Sequence, residues 1–535
     1  MKSFHYHFVL LAACAALTVG CSDDESSTSD RPMPTVDADI EMSVNIDCSQ
    51  VYQTIDGFAS SDAWNMDYVG KYWNETEKEG IARLLFSQGL DASYQPDGIG
   101  LSMWRVNLGG GSAEQGDASG INDQPERRAE CYLNADGTYN WNKASGQQYF
   151  MRKALEYGVD NFVLFSNTPP VYYTKNGLGY SGSGENANLK DDCYDDYADY
   201  LATVAEHFTT AGYPITYISP VNEPQYNWNG GQEGSGWLNS EVARLVKELD
   251  QSLTTKGLAT TDIMVGEAGA WNYLYETASD VGPQRSDVID NFFDPSSANY
   301  IGDLPHVPAM IAGHSYWLDT SWDELQATRK QAADAAKARN LKLYQTEWSM
   351  MSEKYEGISS YDAASYMDLA LAMAQVIHTD LTVANVSSWS YWTTCERERW
   401  SQKSRFYLIR LNPTGGDYGE LTEGGTYTAS KNLWVLGNYS RFIRPGYKRI
   451  SATPEQQGSD FLASAYVSPE NDKLVVVYVN LKKESVKVDN TITGAETPSN
   501  AEQYVTSEGR DLRRVGAEQL TVVPARSVTT IVYDI

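Results

Sequence analysis

The chain has 535 residues, of which 41% are hydrophobic and 21% charged. This composition supports a sizeable core and argues against disorder, and the length indicates either a large body with a smaller companion unit or two to three medium domains. The formal net charge is −30, which repels nucleic-acid phosphates and anionic membrane surfaces. We therefore expect no nucleic-acid partner. The 14 Trp and 36 Tyr pack in cores and also offer flat faces suited to sugar rings.

The N-terminus has the pattern of an export signal. A short basic start precedes an apolar run at residues 8–17, which is too short to span a bilayer. Small residues then lead to Cys21, an order that resembles a bacterial lipobox, and the acidic segment that follows resembles a surface-export signal of bacterial lipoproteins. We predict a signal at residues 1–21 and lipidation of Cys21. An ordinary cleaved signal peptide is the alternative.

The lipobox predicts an outer-membrane lipoprotein, exposed at the cell surface or facing the periplasm, whose only membrane contact is its lipid anchor. Residues 22–41 are rich in Ser, Asp and Pro and predict a flexible tether. The four remaining cysteines are Cys48, Cys131, Cys193 and Cys395. They form no CxxC pair, so we expect no metal and no cofactor. Free thiols and one or two disulfides both remain open.

The middle of the chain alternates strand-like and helix-like patterns. The predicted strands span residues 56–59, 100–106, 161–165, 215–221, 263–266, 310–314, 341–346 and 386–392. Between them, apolar residues recur at helical spacing, as at Tyr197, Tyr200, Leu201, Val204 and Phe208. Eight such repeats over residues 57–440 predict an α/β fold, a (β/α)8 TIM barrel. An open doubly wound sheet is the alternative.

The pattern changes again after about residue 441. Short β-branched runs occur at residues 461–467, 473–480, 485–488, 520–523 and 527–533, separated by Gly, Pro, Asn and Asp. This pattern is typical of an all-β unit. We predict that residues 441–535 form a side β-sandwich, and that residues 42–56 add an N-terminal strand to it. We expect the chain to be a monomer.

Two predicted barrel strands end at a carboxylate. One leads directly into Asn222 and Glu223, and a later one leads into Glu347. In a barrel of this kind, reactive groups lie at the carboxyl ends of the strands. Cleavage of a glycosidic bond needs one carboxylic acid to protonate the leaving oxygen and one carboxylate to attack the anomeric carbon. A lone Glu is ordinarily a solvated or salt-bridged group, but the joint placement of two predicts a glycosidase site.

Around these carboxylates the chain resembles clan A glycoside hydrolases, and more narrowly glycoside hydrolase family 30. The motifs that carry the resemblance are Pro-Val-Asn-Glu-Pro at residues 220–224 and Gln-Thr-Glu-Trp at 345–348, with further matches at 54–59, 104–107, 165–170, 313–317 and 389–392. The resemblance covers roughly residues 44–535. It implies the barrel with a side β-sandwich, and a retaining double displacement between carboxyl groups about 5–5.5 Å apart.

By this resemblance Glu223 is the acid/base and Glu347 the nucleophile. Arg105, Asn222, Tyr316 and Trp392 would line the sugar at the point of cleavage. Two further aromatic residues are candidates for substrate binding. Tyr172 occupies a position where many relatives have Trp, and Trp64 follows the first strand as either a stacking wall or loop packing.

Two other residues lie at predicted strand ends. Glu267 is the rival carboxylate, and a supporting hydrogen-bonding role is expected for it rather than a nucleophilic one. His314 belongs to no cluster with the spacing of metal ligands, so we expect it to orient a neighbouring group.

The substrate is less strongly indicated than the reaction. The segments at residues 161–167 and 227–234 most resemble the endo-β-1,6-galactanase branch of the family, whose substrates are galactan and arabinogalactan side chains. A glucuronoxylanase, xylanase or β-1,6-glucanase is the alternative within the family. From a different class, a non-catalytic surface glycan-binding lipoprotein is kept as a hypothesis, although the intact pair Glu223 and Glu347 argues against it.

Overall fold

The computed structural model describes residues 38–182 and 184–535. The predicted signal with Cys21, and residues 22–37 of the predicted tether, lie outside the described residues. In the part of the chain that the structure describes, no helix is long and apolar enough to cross a bilayer.

The strands in chain order are β1 (Ile40–Thr54), β2 (Gly57–Ser60), β3 (Trp104–Leu108), β4 (Phe162–Ser166), β5 (Ile215–Ser219), β6 (Asp262–Ile263), β7 (Met310–His314), β8 (Lys342–Glu347), β9 (Ser388–Tyr391), β10 (Cys395–Arg397), β11 (Ile409–Pro413), β12 (Gly425–Ala429), β13 (Lys448–Pro454), β14 (Phe461–Val467), β15 (Lys473–Asn480), β16 (Val486–Thr493), β17 (Asn500–Ser507), β18 (Arg510–Arg514), β19 (Val522–Val523) and β20 (Ser527–Asp534). The α-helices are α1 (Asn65–Tyr72), α2 (Glu75–Phe86), α3 (Ser112–Gln115), α4 (Ser145–Glu156), α5 (Tyr194–Thr210), α6 (Asn239–Lys256), α7 (Asn272–Tyr275), α8 (Val288–Phe293), α9 (Trp322–Ala338), α10 (Tyr366–Thr382) and α11 (Lys431–Ser440).

The chain forms an α/β barrel followed by a β-rich domain. The barrel strands lie in two four-stranded sheets, in the orders β2-β9-β8-β7 and β3-β4-β5-β6, with every pair parallel. A single bridge joins Ser61 to Arg105 at one pair of sheet edges, and another joins Ala268 to Gly313 at the other pair. Because all strands run in the same direction, their carboxyl ends meet at one face.

Of the eight predicted barrel strands, that at residues 310–314 has the bounds of β7, and the other seven differ from the observed strands at one or both ends. The strand predicted at residues 100–106 begins only at Trp104, because the N–H of Leu101 bonds to Leu85 in α2 and that of Met103 bonds to Phe58 in β2. Strand β6 is reduced to two residues. Strand β8 extends one residue further than predicted and includes Glu347. The carboxylate therefore lies on a strand rather than on a loop.

The helical spacing predicted for residues 197–208 is realised in α5. Its residues Tyr197, Tyr200, Leu201, Val204 and Phe208 are all buried. The hydroxyl of Tyr197 donates to the carbonyl oxygen of Pro220 at 2.8 Å. This bond fixes the helix against the segment that leads to Glu223.

The β-rich domain is one continuous nine-stranded sheet in the order β18-β17-β20-β15-β14-β13-β1-β16-β19. Strand β1 is paired on both edges, antiparallel to β13 and parallel to β16. The sheet curls back on itself. The evidence is a hydrogen bond between strands that are separated by three others: the hydroxyl of Tyr478 in β15 donates to Asn490 in β16 at 2.6 Å. An apolar core that includes Val44, Ile46 and Val476 lies inside the curl. The two layers expected of a sandwich are thus hydrogen bonded into one sheet.

Several elements near the domain junction were not predicted. They are the three-stranded sheet β10-β11-β12, helix α11, and strands β13, β17 and β18. Helix α11 packs on the nine-stranded sheet, where Asn438 donates to the hydroxyl of Thr530 at 3.0 Å. The main apolar core includes residues of both parts, such as Trp104 in the barrel and Val477 in the sheet.

The four cysteines of the described residues are free thiols. Cys131, Cys193 and Cys395 are buried, and Cys48 is half-buried. Burial raises the pKa of the Cys131 thiol to about 12, which keeps it protonated at neutral pH. Of the two alternatives that the sequence left open, the structure has the free thiols.

Candidate active site

A cleft of about 470 Å³ lies at the carboxyl ends of the barrel strands. Glu223 follows β5 and Glu347 ends β8, and both line this cleft together with Asn222, Tyr316 and Trp392. A strand in a parallel barrel delivers its last side chain to the same face as its neighbours. The barrel therefore brings together five of the residues that the sequence singled out.

Glu347 is held in a fixed orientation by two donors. Its Oε1 accepts from Nη1 of Arg105 at 2.5 Å, and its Oε2 accepts from the hydroxyl of Tyr316 at 3.2 Å. Arg105 is buried, and its guanidinium carbon lies over the Phe165 ring at 3.6 Å from the ring centroid. Burial raises the pKa of Glu347, the charges of His314 and Arg105 oppose that rise, and the charge of Glu223 adds to it.

His314 joins three carboxylates beneath the cleft. Its Nδ1 lies 2.9 Å from Oε1 of Glu223 and 3.5 Å from Oε2 of Glu347, and its Nε2 lies 2.8 Å from Oε2 of Glu267. Burial acts to lower the pKa of His314, but the charge of Glu347 and the bonds to the other two carboxylates raise it to about 10. The ring is therefore a cation at neutral pH and donates from both nitrogens.

Glu267 lies behind His314 rather than in the cleft. It is fully buried, and it accepts from the hydroxyl of Thr346 at 2.7 Å and lies 3.5 Å from Nη2 of Arg105. Burial acts to raise its pKa, but the charges of Arg105 and His314 lower it to about 2. Its carbonyl oxygen accepts from the N–H of Glu223 at 3.0 Å. Glu267 therefore positions the residues around it.

The backbone at both strand ends is unusual. Glu223 and Glu267 each have a φ of 42°, in the left-handed region that costs a non-glycine residue free energy of about 1–3 kcal/mol. Such conformations persist where the surrounding structure imposes them, and they concentrate at functional sites. Here the left-handed turn aims the Glu223 carboxylate into the cleft.

The separation of the two carboxylates is short. An oxygen of Glu223, an oxygen of Glu347 and a ring nitrogen of His314 all lie within 4.8 Å of one another. This is near the separation of about 5–5.5 Å in retaining glycosidases and well below the 6.5–9.5 Å of inverting ones. The three groups have the ligand types of a metal site, but the hydrogen bond from His314 to Glu223 already accounts for their grouping.

The other residues singled out from the sequence are placed as follows. Oδ1 of Asn222 accepts from Arg105 at 3.2 Å, which leaves its amide N–H group as a donor for a ligand. Trp64 is buried behind Trp392, with the two rings edge to face at 5.2 Å. Tyr172 lies in a short 3-10 turn and is not among the described residues that line the cleft.

Several cleft residues were not identified from the sequence. They are Arg127, Tyr226, Trp228, Trp317 and Met351. Trp317 is 45% exposed, and its indole N–H donates to the hydroxyl of Tyr226 at 2.7 Å, so the two rings form one wall. The aromatic residues directly after the Asn-Glu-Pro motif were the available signal for Tyr226 and Trp228. Nothing comparable marked Arg127.

Replacement of Glu267 by glutamine is expected to lower the stability of the protein at pH 7 by about 3 kcal/mol, because it removes one charge from a buried network. The pKa of Glu267 is about 2, below its ordinary value of 4.5. The stabilisation is therefore present above pH 4.5 and is lost as the pH falls towards 2. Urea denaturation at pH 7 and pH 3 measures it, and the difference from wild type should shrink at pH 3. Glu156→Gln on the exposed face of α4 is the control, and an equal loss in both variants would contradict the expectation.

Comparison with known proteins finds one matching family model and several relatives named as polysaccharide-degrading enzymes. The model of O-glycosyl hydrolase family 30 matches residues 41–403. An endo-β-1,6-galactanase of Hypocrea rufa is 24% identical over 462 residues, 82% of this chain and 81% of that protein. Glucuronoxylanase XynC of Bacillus subtilis strain 168 is 24% identical over 364 residues, 66% of this chain and 69% of that protein. The identity to the galactanase and to the glucuronoxylanase is the same, although these two enzymes are named for different polysaccharides.

A solved structure is similar over most of the chain. A conserved exported protein of Bacteroides fragilis superposes with a TM-score of 0.84 at 34% identity, covering 92% of this chain and 100% of that one. The two chains therefore share their fold over most of their length.

Proposed function

Because the chain belongs to glycoside hydrolase family 30 and is an O-glycosyl hydrolase, we propose that it cleaves a β-linked polysaccharide by double displacement, with Glu347 as nucleophile and Glu223 as acid/base. The observation that carries this assignment is the pair of carboxylates within 4.8 Å at the floor of one cleft. Each carboxylate has a different set of partners, which suits two different roles.

In the proposed first step, an oxygen of Glu347 attacks the anomeric carbon while Glu223 protonates the leaving oxygen. The bond to the leaving group breaks, and a covalent glycosyl-enzyme forms. Arg105 and Tyr316 hold the attacking carboxylate in place. In the second step, Glu223 takes a proton from water, and that water releases the sugar from Glu347 with its original configuration.

The neighbours of Glu223 support its role in proton transfer. Its contact with Nδ1 of His314 at 2.9 Å holds its carboxyl group in place in the cleft. The backbone carbonyl of Glu223 accepts from the indole N–H of Trp228 at 3.1 Å. This bond ties the loop that follows the motif to the reacting group.

For the substrate, we propose an endo-β-1,6-galactanase acting on galactan or arabinogalactan side chains. The galactanase of Hypocrea rufa supports this choice, because its similarity extends over 82% of this chain and that of the glucuronoxylanase over 66%. A glucuronoxylanase or β-1,6-glucanase is the second candidate. The intact carboxylate pair disfavours a non-catalytic glycan binder.

Incubation of the purified protein with β-1,6-galactan, glucuronoxylan and pustulan tests the substrate. We expect reducing ends from β-1,6-galactan, with a ladder of oligosaccharides rather than a single small product, because the cleft is open. A reducing-end assay measures the cleavage of each glycan, and chromatographic sizing measures the lengths of the products. Products from glucuronoxylan or pustulan alone would replace the substrate proposal, and no products from any glycan would favour the binder.

We also propose that the two parallel sheets act as one closed eight-stranded barrel, and that the curled sheet is the sandwich of the family. The bridges between Ser61 and Arg105 and between Ala268 and Gly313 support closure. The bond between Tyr478 and Asn490 supports two facing layers.

Lipidation of Cys21 remains a proposal on sequence grounds. We expect that Cys21→Ala releases the full-length protein from membrane fractions into the soluble fraction, because the tether then lacks its acyl chains. Fractionation followed by immunoblotting measures this. Cys48→Ala, which removes a thiol beyond the tether, is the matched control. Retention of the Cys21 variant in the membrane would overturn the assignment.

A further inference from the structure

A second cavity, of about 500 Å³, lies between the barrel and the β-rich domain. Helices α9 and α10 line one side of it, and strands β1, β13 and β14 line the other. Its volume is within the range of about 300–1,000 Å³ that small-molecule sites in proteins have. The second cavity and the catalytic cleft have no lining residue in common among the described residues. The cavity is therefore separate from the site described above.

One buried side chain in the second cavity has a polar atom without a hydrogen bond. His378 of α10 lines the cavity and is only 8% exposed. No atom of the described residues bonds to its buried Nδ1. Burial and the charge of Arg449 lower the pKa of His378 to about 3, so the ring is neutral at pH 7. Because buried polar groups are ordinarily hydrogen bonded, this nitrogen points to a polar occupant.

The charge in this cavity favours a neutral occupant over an acidic one. Arg449 is the only Lys, Arg, Asp or Glu among the described residues that line it. Its Nε donates to Gln53 at 2.9 Å, and its Nη2 donates to Asn385 at 2.6 Å. These two nitrogens form one edge of the guanidinium, an edge that a carboxylate would otherwise bind through two parallel bonds. The guanidinium therefore serves as part of the wall.

The second cavity also has flat faces beside hydroxyl and amide groups. Tyr52 is 48% exposed, and the Arg449 guanidinium lies over its ring at 3.8 Å from the centroid. Trp322, which begins α9, is half-buried. Side chains that both donate and accept line much of the remainder, at Gln326, Thr382, Ser451, Thr453, Gln457 and Ser464. Aromatic faces next to such groups match a neutral sugar ring, which has apolar faces and hydroxyl edges.

The second cavity is close to the catalytic cleft along the chain. Trp317 lines the cleft and Trp322 lines the cavity. Five residues of fully extended chain span at most about 18 Å. One polysaccharide can therefore reach both places, and a second attachment raises its effective concentration at the cleft.

We propose that the second cavity is a non-catalytic binding site for a neutral stretch of the glycan substrate, which holds the polymer while the cleft cleaves it. This inference rests on the proposed function for the class of its ligand, a glycan. It adds a place where the chain binds without reacting.

The test counts the oligosaccharides that bind to one chain. Binding is measured by calorimetry on the full chain with Glu347→Gln, so that the ligand is not cleaved, and the neutral probes are β-1,6-galactotetraose, gentiotetraose and xylotetraose. We expect at least one probe to bind at two sites. Tyr52→Ala on this background should weaken the second binding event about tenfold, because it removes a stacking face, and should keep the first.

His378→Phe keeps a ring and removes the unpaired nitrogen. We expect it to weaken the second event about fivefold, the value of one hydrogen bond, and to leave the urea midpoint of unfolding unchanged or higher. Tyr72→Ala, at a tyrosine of α1 that is 51% exposed, is the matched control for Tyr52→Ala and should keep both events.

At most one bound ligand per chain for every probe would overturn the inference, as would two events that persist unchanged in Tyr52→Ala. Displacement of the second ligand by inorganic phosphate would assign the cavity to an anion and would overturn it as well. Cleavage of the three glycans by wild type is scored separately. It decides the proposed function whatever number of ligands binds.

Discussion

Replacement of Glu347 by alanine is expected to abolish hydrolysis of every β-linked substrate, including aryl glycosides with good leaving groups. The covalent step needs a carboxylate at the anomeric carbon, and no protonation of the leaving group substitutes for it. In the structure, Arg105 and Tyr316 both hold this one carboxylate. Initial rates with an aryl β-glycoside and with the polysaccharide measure the loss.

Added azide distinguishes a missing nucleophile from a misfolded variant. Azide entering the space vacated in Glu347→Ala attacks from that face and yields the α-glycosyl azide. Glu353→Ala, at an exposed carboxylate on the loop after β8, is the matched control and should stay active. A β-configured azide product from Glu347→Ala would reverse the assignment of the two carboxylates.

Replacement of Glu223 by alanine is expected to have a different signature. Hydrolysis of the polysaccharide should fall by about 10²–10⁴-fold, because general acid–base catalysis contributes that much. An aryl leaving group of low pKa needs little protonation, so the first step survives and the glycosyl-enzyme accumulates. Azide needs no general base, and it should restore the rate and give the β-glycosyl azide. Burst kinetics and product stereochemistry measure this.

The matched control for Glu223→Ala is Glu276→Ala, at an exposed carboxylate beyond β6. It should show neither a burst nor azide rescue. Unchanged polysaccharide hydrolysis in Glu223→Ala would remove this residue from the mechanism. Glu267 would then be the next carboxylate to test, since it is joined to Glu223 through His314.

The sequence was informative wherever local pattern and chemistry coincide. The helical spacing at residues 197–208 led to α5, and the strand leading to Asn222 and Glu223 was placed correctly. Parallel strands buried on both faces are recognisable as short apolar runs, and in a barrel their ends point to one face. Family membership, expected from motifs on several strands, is confirmed by the match over residues 41–403.

Sequence pattern was less informative where pairing depends on distant segments. Strands β17 and β18 have few apolar residues on one face, and they form because β20 offers them an edge. In the same way, β1 lies between β13 and β16 and pairs with both, which joins the two expected layers into one curled sheet. Hydrogen bonds between strands far apart in the chain leave no local signature.

The sequence by itself determined the reaction class and singled out the two carboxylates proposed to react, because each lies at or just beyond the end of a recognisable strand. Only the tertiary structure decided their electrostatics. The bonds from His314 to Glu223 and Glu267, and the ion pair between Arg105 and Glu347, join residues that lie on separate strands and loops. A carboxylate's pKa and the strength of an ion pair depend on burial and on distances of a few ångströms. Those quantities exist only once the barrel has brought distant segments together.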